Sequence, residues 1–261
     1  MEKLLHIAIA AAIKGGHEIM KVYATDFDVE MKGDDSPLTM ADQNANAVIV
    51  DFLLKTDIPI ISEENKQTAY DERRSWKRCW IVDPLDGTKE FVKRNGEFTV
   101  NIALVEKGAP VLGVIYVPVS RELYFTAASG SGSFKLQLDS VEEKGVEEIV
   151  AKASPIQPLD DKNGPLKVVG SRSHLNDDTK AFVNNLETET EIVSKGSSLK
   201  FCLVAEGSAH LYPRFAPTME WDTAAGHAIC KAVGLQVTIA NTKEPLRYNK
   251  ENLLNPYFLV H

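Results

Sequence analysis

Apolar residues at Leu4, Leu5, Ile9, Ile13, Ile19 and Met20 recur at near-helical spacing and predict an amphipathic helix from Glu2 to Tyr23. A short strand is expected at 29–32, followed by a polar segment at 33–39. Thr39-Met-Ala-Asp42 has the spacing of a capping box ahead of a helix over 43–55. Ile58-Pro-Ile-Ile61 reads as a buried strand running into Ser62-Glu63-Glu64, and Trp80-Ile-Val82 as a second strand ending abruptly at Asp83. Apolar runs at 99–105, 111–117, 123–125 and 134–138, broken by Gly and Pro, predict a β-rich stretch. The charged segment 139–152 and polar segment 154–165 divide the chain into 1–153, read as α+β, and 154–261, read as α/β. Strand patterns in the second part fall at 166–169, 191–193 and 210–212, and helix patterns at 179–186, 198–206 and 222–233. A layered two-part architecture follows, with a site at the junction.

Composition narrows the function. A hydrophobic fraction of 44% with 25% charged residues is that of an ordinary globular protein. A net charge of -8 works against nucleic-acid binding, which needs Lys and Arg to neutralise phosphates. An anionic small molecule must then be received by local cations or by metal ions. Cys79, Cys202 and Cys230 have no metal-ligand spacing and read as core thiols of a reducing compartment. The start of the chain lacks a signal-peptide pattern, and no apolar run approaches the roughly 18 residues of a membrane span. A cytoplasmic protein is expected.

Candidate chemistry centres on Asp83-Pro-Leu-Asp-Gly-Thr88. Mg²⁺ prefers oxygen ligands and is usually held by one or two carboxylates plus substrate phosphate oxygens. A stiff bend can aim Asp83, Asp86 and the Leu85 carbonyl at one point, with the N–H groups of Gly87 and Thr88 and the Thr88 hydroxyl facing the same space. Ordinary turn chemistry would use the same Pro and Gly. The aspartate-nucleophile phosphatases place their two carboxylates at i and i+2, whereas these stand at i and i+3. Glu63, Asp222 in Trp221-Asp-Thr-Ala-Ala-Gly226, and Asp42 also stand at ends of predicted elements. Each has a plain reading as a solvated turn or a helix cap. Together they form a set that could hold two cations about 3.5–4 Å apart.

Asp83–Thr88 and Trp221–Gly226 resemble the two signatures of the inositol monophosphatase-type, lithium-sensitive, magnesium-dependent phosphatases, and the order Thr39-x-Ala-Asp42, Glu63-Glu64 and these motifs spans nearly the whole chain. Within that superfamily the longer match is to bacterial 3′(2′),5′-bisphosphate nucleotidases of the CysQ type. It runs through 86–104, Gly170-Ser-Arg-Ser-His174, 196–207 and Leu211-Tyr-Pro-Arg214. Ser62 stands where many relatives have Gly.

The resemblance implies a layered αβαβα sugar-phosphatase-type fold. It implies that Glu63, Asp83 and the Leu85 carbonyl hold one Mg²⁺, and that Asp83, Asp86 and Asp222 hold a second. Asp42 would orient Thr88 or the attacking water and help with a third, weaker ion. Water would attack the 3′-phosphate of adenosine 3′,5′-bisphosphate to give AMP, with the sulfated form PAPS as a further substrate and a tie to sulfur metabolism. The phosphoryl group would be met by Glu63, Leu85, Asp86, Gly87, Thr88 and Asp222. Ser171, Arg172, Ser173 and His174, together with Gly196, Ser197, Lys200 and Arg214, would contact the nucleotide and its 5′-phosphate at a helix start. Relatives extend to peripheral attachment on the inner membrane face, for which this chain shows no anchor. The alternatives are an inositol or sugar monophosphatase and a non-hydrolytic sensor of bisphosphate nucleotides. The sensor predicts a degraded acidic set, whereas this one is intact.

Overall fold

The computed structural model describes residues 1–25, 37–139, 145–159, 164–171 and 176–261. The strand expected at 29–32 lies outside the described residues. The chain forms α1 (Glu2–Tyr23), α2 (Pro37–Leu54), β1 (Ile60–Ser62), α3 (Tyr70–Arg73), β2 (Arg78–Asp86), α4 (Thr88–Val92), β3 (Thr99–Glu106), β4 (Ala109–Val117), β5 (Glu122–Thr126), β6 (Ser133–Gln137), α5 (Val146–Lys152) and β7 (Ser154–Ile156). It continues with β8 (Leu166–Ser171), α6 (Asp177–Asn184), β9 (Thr190–Lys195), α7 (Leu199–Ala205), β10 (Tyr212–Arg214), α8 (Glu220–Ala232), β11 (Val237–Ile239) and β12 (Phe258–Val260).

Strand alternation sets the layers. In β2, Trp80 and Val82 enter a core shared with α1 and α2, whereas Cys79 and Ile81 enter a second core shared with α7 and α8. β1 to β7 form one sheet in chain order, with β1 parallel to β2 and the remaining neighbours antiparallel. On the far side of α7 and α8 lie the parallel pair β8–β9 and the antiparallel sheet β10–β12–β11, joined through the Val168–Leu211 bridge. α6 lies against β10. Helices, sheet, helices, sheet and helix give an α+β architecture of the αβαβα kind. The second core draws on both sides of residue 153, with Ile81, Ala103 and Ile115 meeting Val169, Phe201 and Ile229. β7 extends the large sheet just beyond that position.

Two expectations need correction. α2 begins at Pro37, where proline's fixed φ suits a first helical position. Asp42 therefore lies inside the helix and does not cap it. β2 does not stop at Asp83: it continues through Pro84 and Leu85 to Asp86, with an irregular register between Asp83 and Asp86 against β3. The bend is a bulge in a paired strand, and bulges re-aim side chains. Cys79, Cys202 and Cys230 are unpaired and buried.

Candidate metal centre and substrate cavity

β1 and β2 run parallel with Ser62 opposite Val82, so Glu63, just past the end of β1, and Asp83 stand at the same level. By alternation Asp83 follows Cys79 and Ile81 onto the α8 side. There Asp222 projects from the first turn of α8, its carboxylate accepting the Met219 N–H at 2.8 Å. Carboxylate oxygens of Glu63, Asp83 and Asp222 all lie within 4.8 Å of one another. Asp83 is 1% exposed and accepts the Leu85 N–H at 3.0 Å, which locks the bulge. Asp86 stands beside them, accepting from Ser198 N–H at 2.6 Å and from the Asn101 carboxamide at 3.3 Å.

This donor set is electrostatically unsatisfied by protein alone. Burial, followed by repulsion from Asp86, Glu63, Asp222 and Asp42, pushes the Asp83 carboxyl well above the usual carboxylate range. Glu63 is exposed on one side, but lost hydration on the other and the neighbouring Glu64 and Asp86 push its carboxyl up to about 7, against hydrogen bonds from Asp83 and the Trp221 indole. Burial and Asp86 raise Asp222 to about 7. Asp42 reaches about 8 through burial and repulsion from Glu64 and Glu63. Burial also raises Asp86, opposed by Lys200 and by its hydrogen bonds. Hard oxygen donors converging in a negatively charged recess fit a divalent cation such as Mg²⁺ or Ca²⁺. Among the described residues the cluster contains neither a thiolate nor an imidazole.

A cavity of about 470 Å³ opens beside the cluster, with Asp86, Thr88 and Asp222 on one part of its wall and Lys200, Arg214 and Phe215 on another. Gly87 has φ +103° and opens α4; a Cβ there would come within 3.2 Å of both Phe98 Cα and Ser197 Cβ. Thr88 is exposed toward the cavity. Lys200 is almost wholly buried, over the Tyr212 ring, with its ammonium on the Ser197 carbonyl at 2.5 Å. Burial lowers it to about 8, against the pull of Asp86. Arg214 donates to the Pro217 carbonyl at 3.2 Å, while its buried Nε–H has no partner among the described residues.

The structure thus brings together Glu63, Asp83, Asp86 and Asp222, with Asp42 in electrostatic reach. Leu85 is buried in the bulge between the two aspartates. Gly196 and Ser197 form the loop before α7, and Ser197 lines the cavity. That loop does not offer a free helix start: the Ser198 N–H is already taken by Asp86. Ser171 ends β8, and Arg172, Ser173 and His174 lie outside the described residues.

Several contributors carry no sequence signal of their own. Asn101 and Ser198 are tied through the Ser198 hydroxyl at 2.7 Å and together restrain Asp86. Only their places on β3 and before α7 give them this role. Trp221 was legible as part of a motif, but not as a hydrogen-bond partner of Glu63. Phe215 and Asn176 join the cavity wall through tertiary packing, the Asn176 carboxamide donating to the Phe215 carbonyl.

Comparisons with known proteins agree with this geometry. The sequence profile of the inositol monophosphatase family matches residues 1–257. The 3′(2′),5′-bisphosphate nucleotidase CysQ of Salmonella typhimurium is 47% identical over 253 residues, covering 95% of this chain and 96% of that protein. The protein of the same description from Escherichia coli K12 is 48% identical over 254 residues with the same coverage. The crystal structure of CysQ from Bacteroides thetaiotaomicron, described as a bacterial member of the inositol monophosphatase family, superposes with a TM-score of 0.90 at 52% identity, covering 98% of this chain and 95% of that one. Inositol monophosphatase-II from Staphylococcus aureus, at 22% identity, a TM-score of 0.78, and 100% and 91% coverage, shares the fold. No helix among the described residues is long and apolar enough to cross a membrane. With the profile and these relatives spanning almost its whole length, the chain belongs to the inositol monophosphatase family of metal-dependent phosphatases.

Proposed function

We propose that the protein is a magnesium-dependent 3′(2′),5′-bisphosphate nucleotidase that converts adenosine 3′,5′-bisphosphate to AMP and phosphate, with PAPS as a second substrate. The observation that carries the substrate class is the cavity beside the carboxylate cluster, whose wall also carries cations, Lys200 and Arg214 among them. A phosphate at the metal cluster leaves these cations for another anionic group, which an inositol monophosphate does not have. The names of the relatives at 47–48% identity support the same choice.

In this reading Glu63, Asp83 and the Leu85 carbonyl hold one Mg²⁺, and Asp83, Asp86 and Asp222 hold a second. Asp42 serves a third, weaker ion. Bound Mg²⁺ supplies an activated water and neutralises charge on the transferring phosphoryl group. Asp42 and Thr88 orient the attacking water, and the N–H groups of Gly87 and Thr88 face the phosphoryl oxygens. Lys200 and Arg214 receive the 5′-phosphate with Ser197, whereas the Gly196 N–H is held by Glu97. Ser171, Arg172 and Ser173 add to that phosphate site, and His174 contacts the adenine or ribose.

Phosphate release from adenosine 3′,5′-bisphosphate and from inositol 1-phosphate, each with and without Mg²⁺, tests the proposal. The nucleotide should show the higher kcat/KM, and Lys200→Met should raise its KM about tenfold or more, in keeping with a lost charge-assisted contact. Higher efficiency on inositol 1-phosphate would overturn the substrate assignment.

The raised carboxyls give a pH signature. Glu63 and Asp222 at about 7 and Asp42 at about 8 stand above their unfolded values of 4.5, 3.8 and 3.8, so the ion-free native state binds more protons than the unfolded chain. Its stability therefore falls as pH rises through that window. Magnesium can take the place of those protons. Scanning calorimetry should show MgCl2 raising Tm more at about pH 8.5 than at about pH 6. A Mg²⁺-induced shift that does not grow with pH would contradict the assigned ligands.

A further inference from the structure

Glu97 is a buried carboxylate, 8% exposed, lying just before β3 within the stretch 86–104, with no role assigned to it above. Its Oε2 accepts the Gly196 N–H at 2.9 Å, and its Oε1 lies 3.4 Å from the Lys195 ammonium. Glu97 therefore grips the entrance of the three-residue loop Gly196-Ser197-Ser198. The exit of the same loop is gripped by Asp86, through the Ser198 N–H at 2.6 Å. Between the two carboxylates Ser197 holds φ at +43°, a left-handed conformation costly for a residue with a Cβ. Such a conformation persists only where its surroundings enforce it. Gly196 packs closely against its anchor: a Cβ there would meet Glu90 Cγ at 2.6 Å and Glu97 Cβ at 3.1 Å.

We infer that Glu97 is a positioning residue for Asp86, acting through the main chain of Gly196–Ser198. This rests on the reading of Asp86 as a magnesium ligand. With the Gly196 N–H released, Ser197 relaxes out of its left-handed state and carries the Ser198 N–H away from Asp86. Of its hydrogen bonds among the described residues, the Asp86 carboxylate then keeps the longer one from Asn101 and loses a fixed orientation. Groups behind metal ligands act in this way, and their loss typically costs about 10–100-fold in metal affinity. Because Ser197 and Lys200 line the cavity, one carboxylate sets both the metal side and the substrate side of the loop.

The test is Mg²⁺ binding by isothermal calorimetry on the full chain, with phosphate release as a second readout. Glu97→Ala should weaken Mg²⁺ binding about tenfold or more and lower kcat in step. Glu97→Gln should recover most of both, since its amide oxygen can still accept the Gly196 N–H. Glu97→Asp keeps the charge but shortens the reach, and should fall near Glu97→Ala; it carries the test if the alanine variant does not fold. A merely structural Glu97 would lower Tm in the ion-free protein and leave Mg²⁺ affinity unchanged. That result, or Gln as impaired as Ala, would overturn the inference while leaving the proposed function standing. A wild-type protein that binds no Mg²⁺ would overturn both.

Discussion

Asp83→Asn should reduce kcat by about 10³-fold while making the ion-free protein more stable, and this opposition of signs is the diagnostic. Asp83 is buried to 1% exposure, and burial with four neighbouring acids drives its carboxyl well above the usual range. In the absence of cations, burial and these neighbours therefore favour its neutral acid form. Asparagine has nearly the shape of that neutral acid, and its Oδ1 can still accept the Leu85 N–H that holds the bulge. The substitution thus removes a site of repulsion without opening a cavity. It also removes a charge that both proposed magnesium sites share. A loss of about 10³ corresponds to roughly 4 kcal/mol of transition-state stabilisation, reasonable for electrostatic groups in a metal-assisted phosphoryl transfer. Phosphate release and calorimetry with and without EDTA would measure both effects. Expected are a higher Tm than wild type in EDTA near pH 8 and a reduced gain on adding Mg²⁺. Activity within tenfold of wild type would remove Asp83 from the proposed ligand set.

Much of this centre was legible because it is built from ends of regular elements. The two apolar runs before Glu63 and Asp83 are parallel neighbours in the sheet, so reading both as strands was enough to bring their carboxylates together. Asp222 is legible as a helix-start residue because small residues after it leave a recognisable pattern, and it lies in the first turn of α8. Failures follow from physics that a linear pattern does not carry. β7, β11 and β12 span three residues each, too short for a period of two to show. α5 hides in a segment whose charge suggested a boundary, since only Ile149 among its residues is fully buried. The start of α2 was misjudged because Thr39 and Asp42 imitate a capping box, while Pro37 sets the first helical position. The Asp83–Asp86 bulge read as a strand end because Pro84 cannot donate to a sheet, yet β2 keeps its pairing with β3 on either side of the irregularity. Glu97, Asn101 and Ser198 were invisible as a group. Their bonds cross nearly a hundred residues of chain, and although both ends lie in the stretches 86–104 and 196–207, nothing local pairs one end with the other.

Gly113→Val should destabilise the fold by about 3 kcal/mol and weaken the metal site with it. Gly113 lies in the interior of β4, where glycine is ordinarily a poor choice. A Cβ there would come 2.4 Å from the Ala225 carbonyl oxygen and 2.8 Å from Ala228 Cβ, so the backbone of α8 rests directly on that of β4. The contacting atoms belong to the main chain and to a methyl group, and neither can rotate aside. α8 must lift, losing apolar contacts of Ala224, Ala225 and Ile229 with the sheet. Overpacking of this kind costs about 1–3 kcal/mol, and the upper end applies where the obstacle is backbone. For a chain of this size that lowers Tm by roughly 6–12 °C. The same displacement raises Asp222, on the first turn of α8, away from Asp83, whose oxygens now lie within 4.8 Å of it. Gly113→Val should therefore lose Mg²⁺ affinity beyond what partial unfolding explains, measured by calorimetry well below its Tm. A substitution on the opposite face of the sheet makes the control: Val114→Ala hollows the core beneath α1 and α2, at a comparable cost in Tm. It should leave Mg²⁺ affinity near wild type. If both variants lose affinity in proportion to stability, the seat of α8 on β4 is a matter of folding alone. If only Gly113→Val does, the absence of one methyl group in the sheet fixes how deeply the third carboxylate reaches into the metal centre.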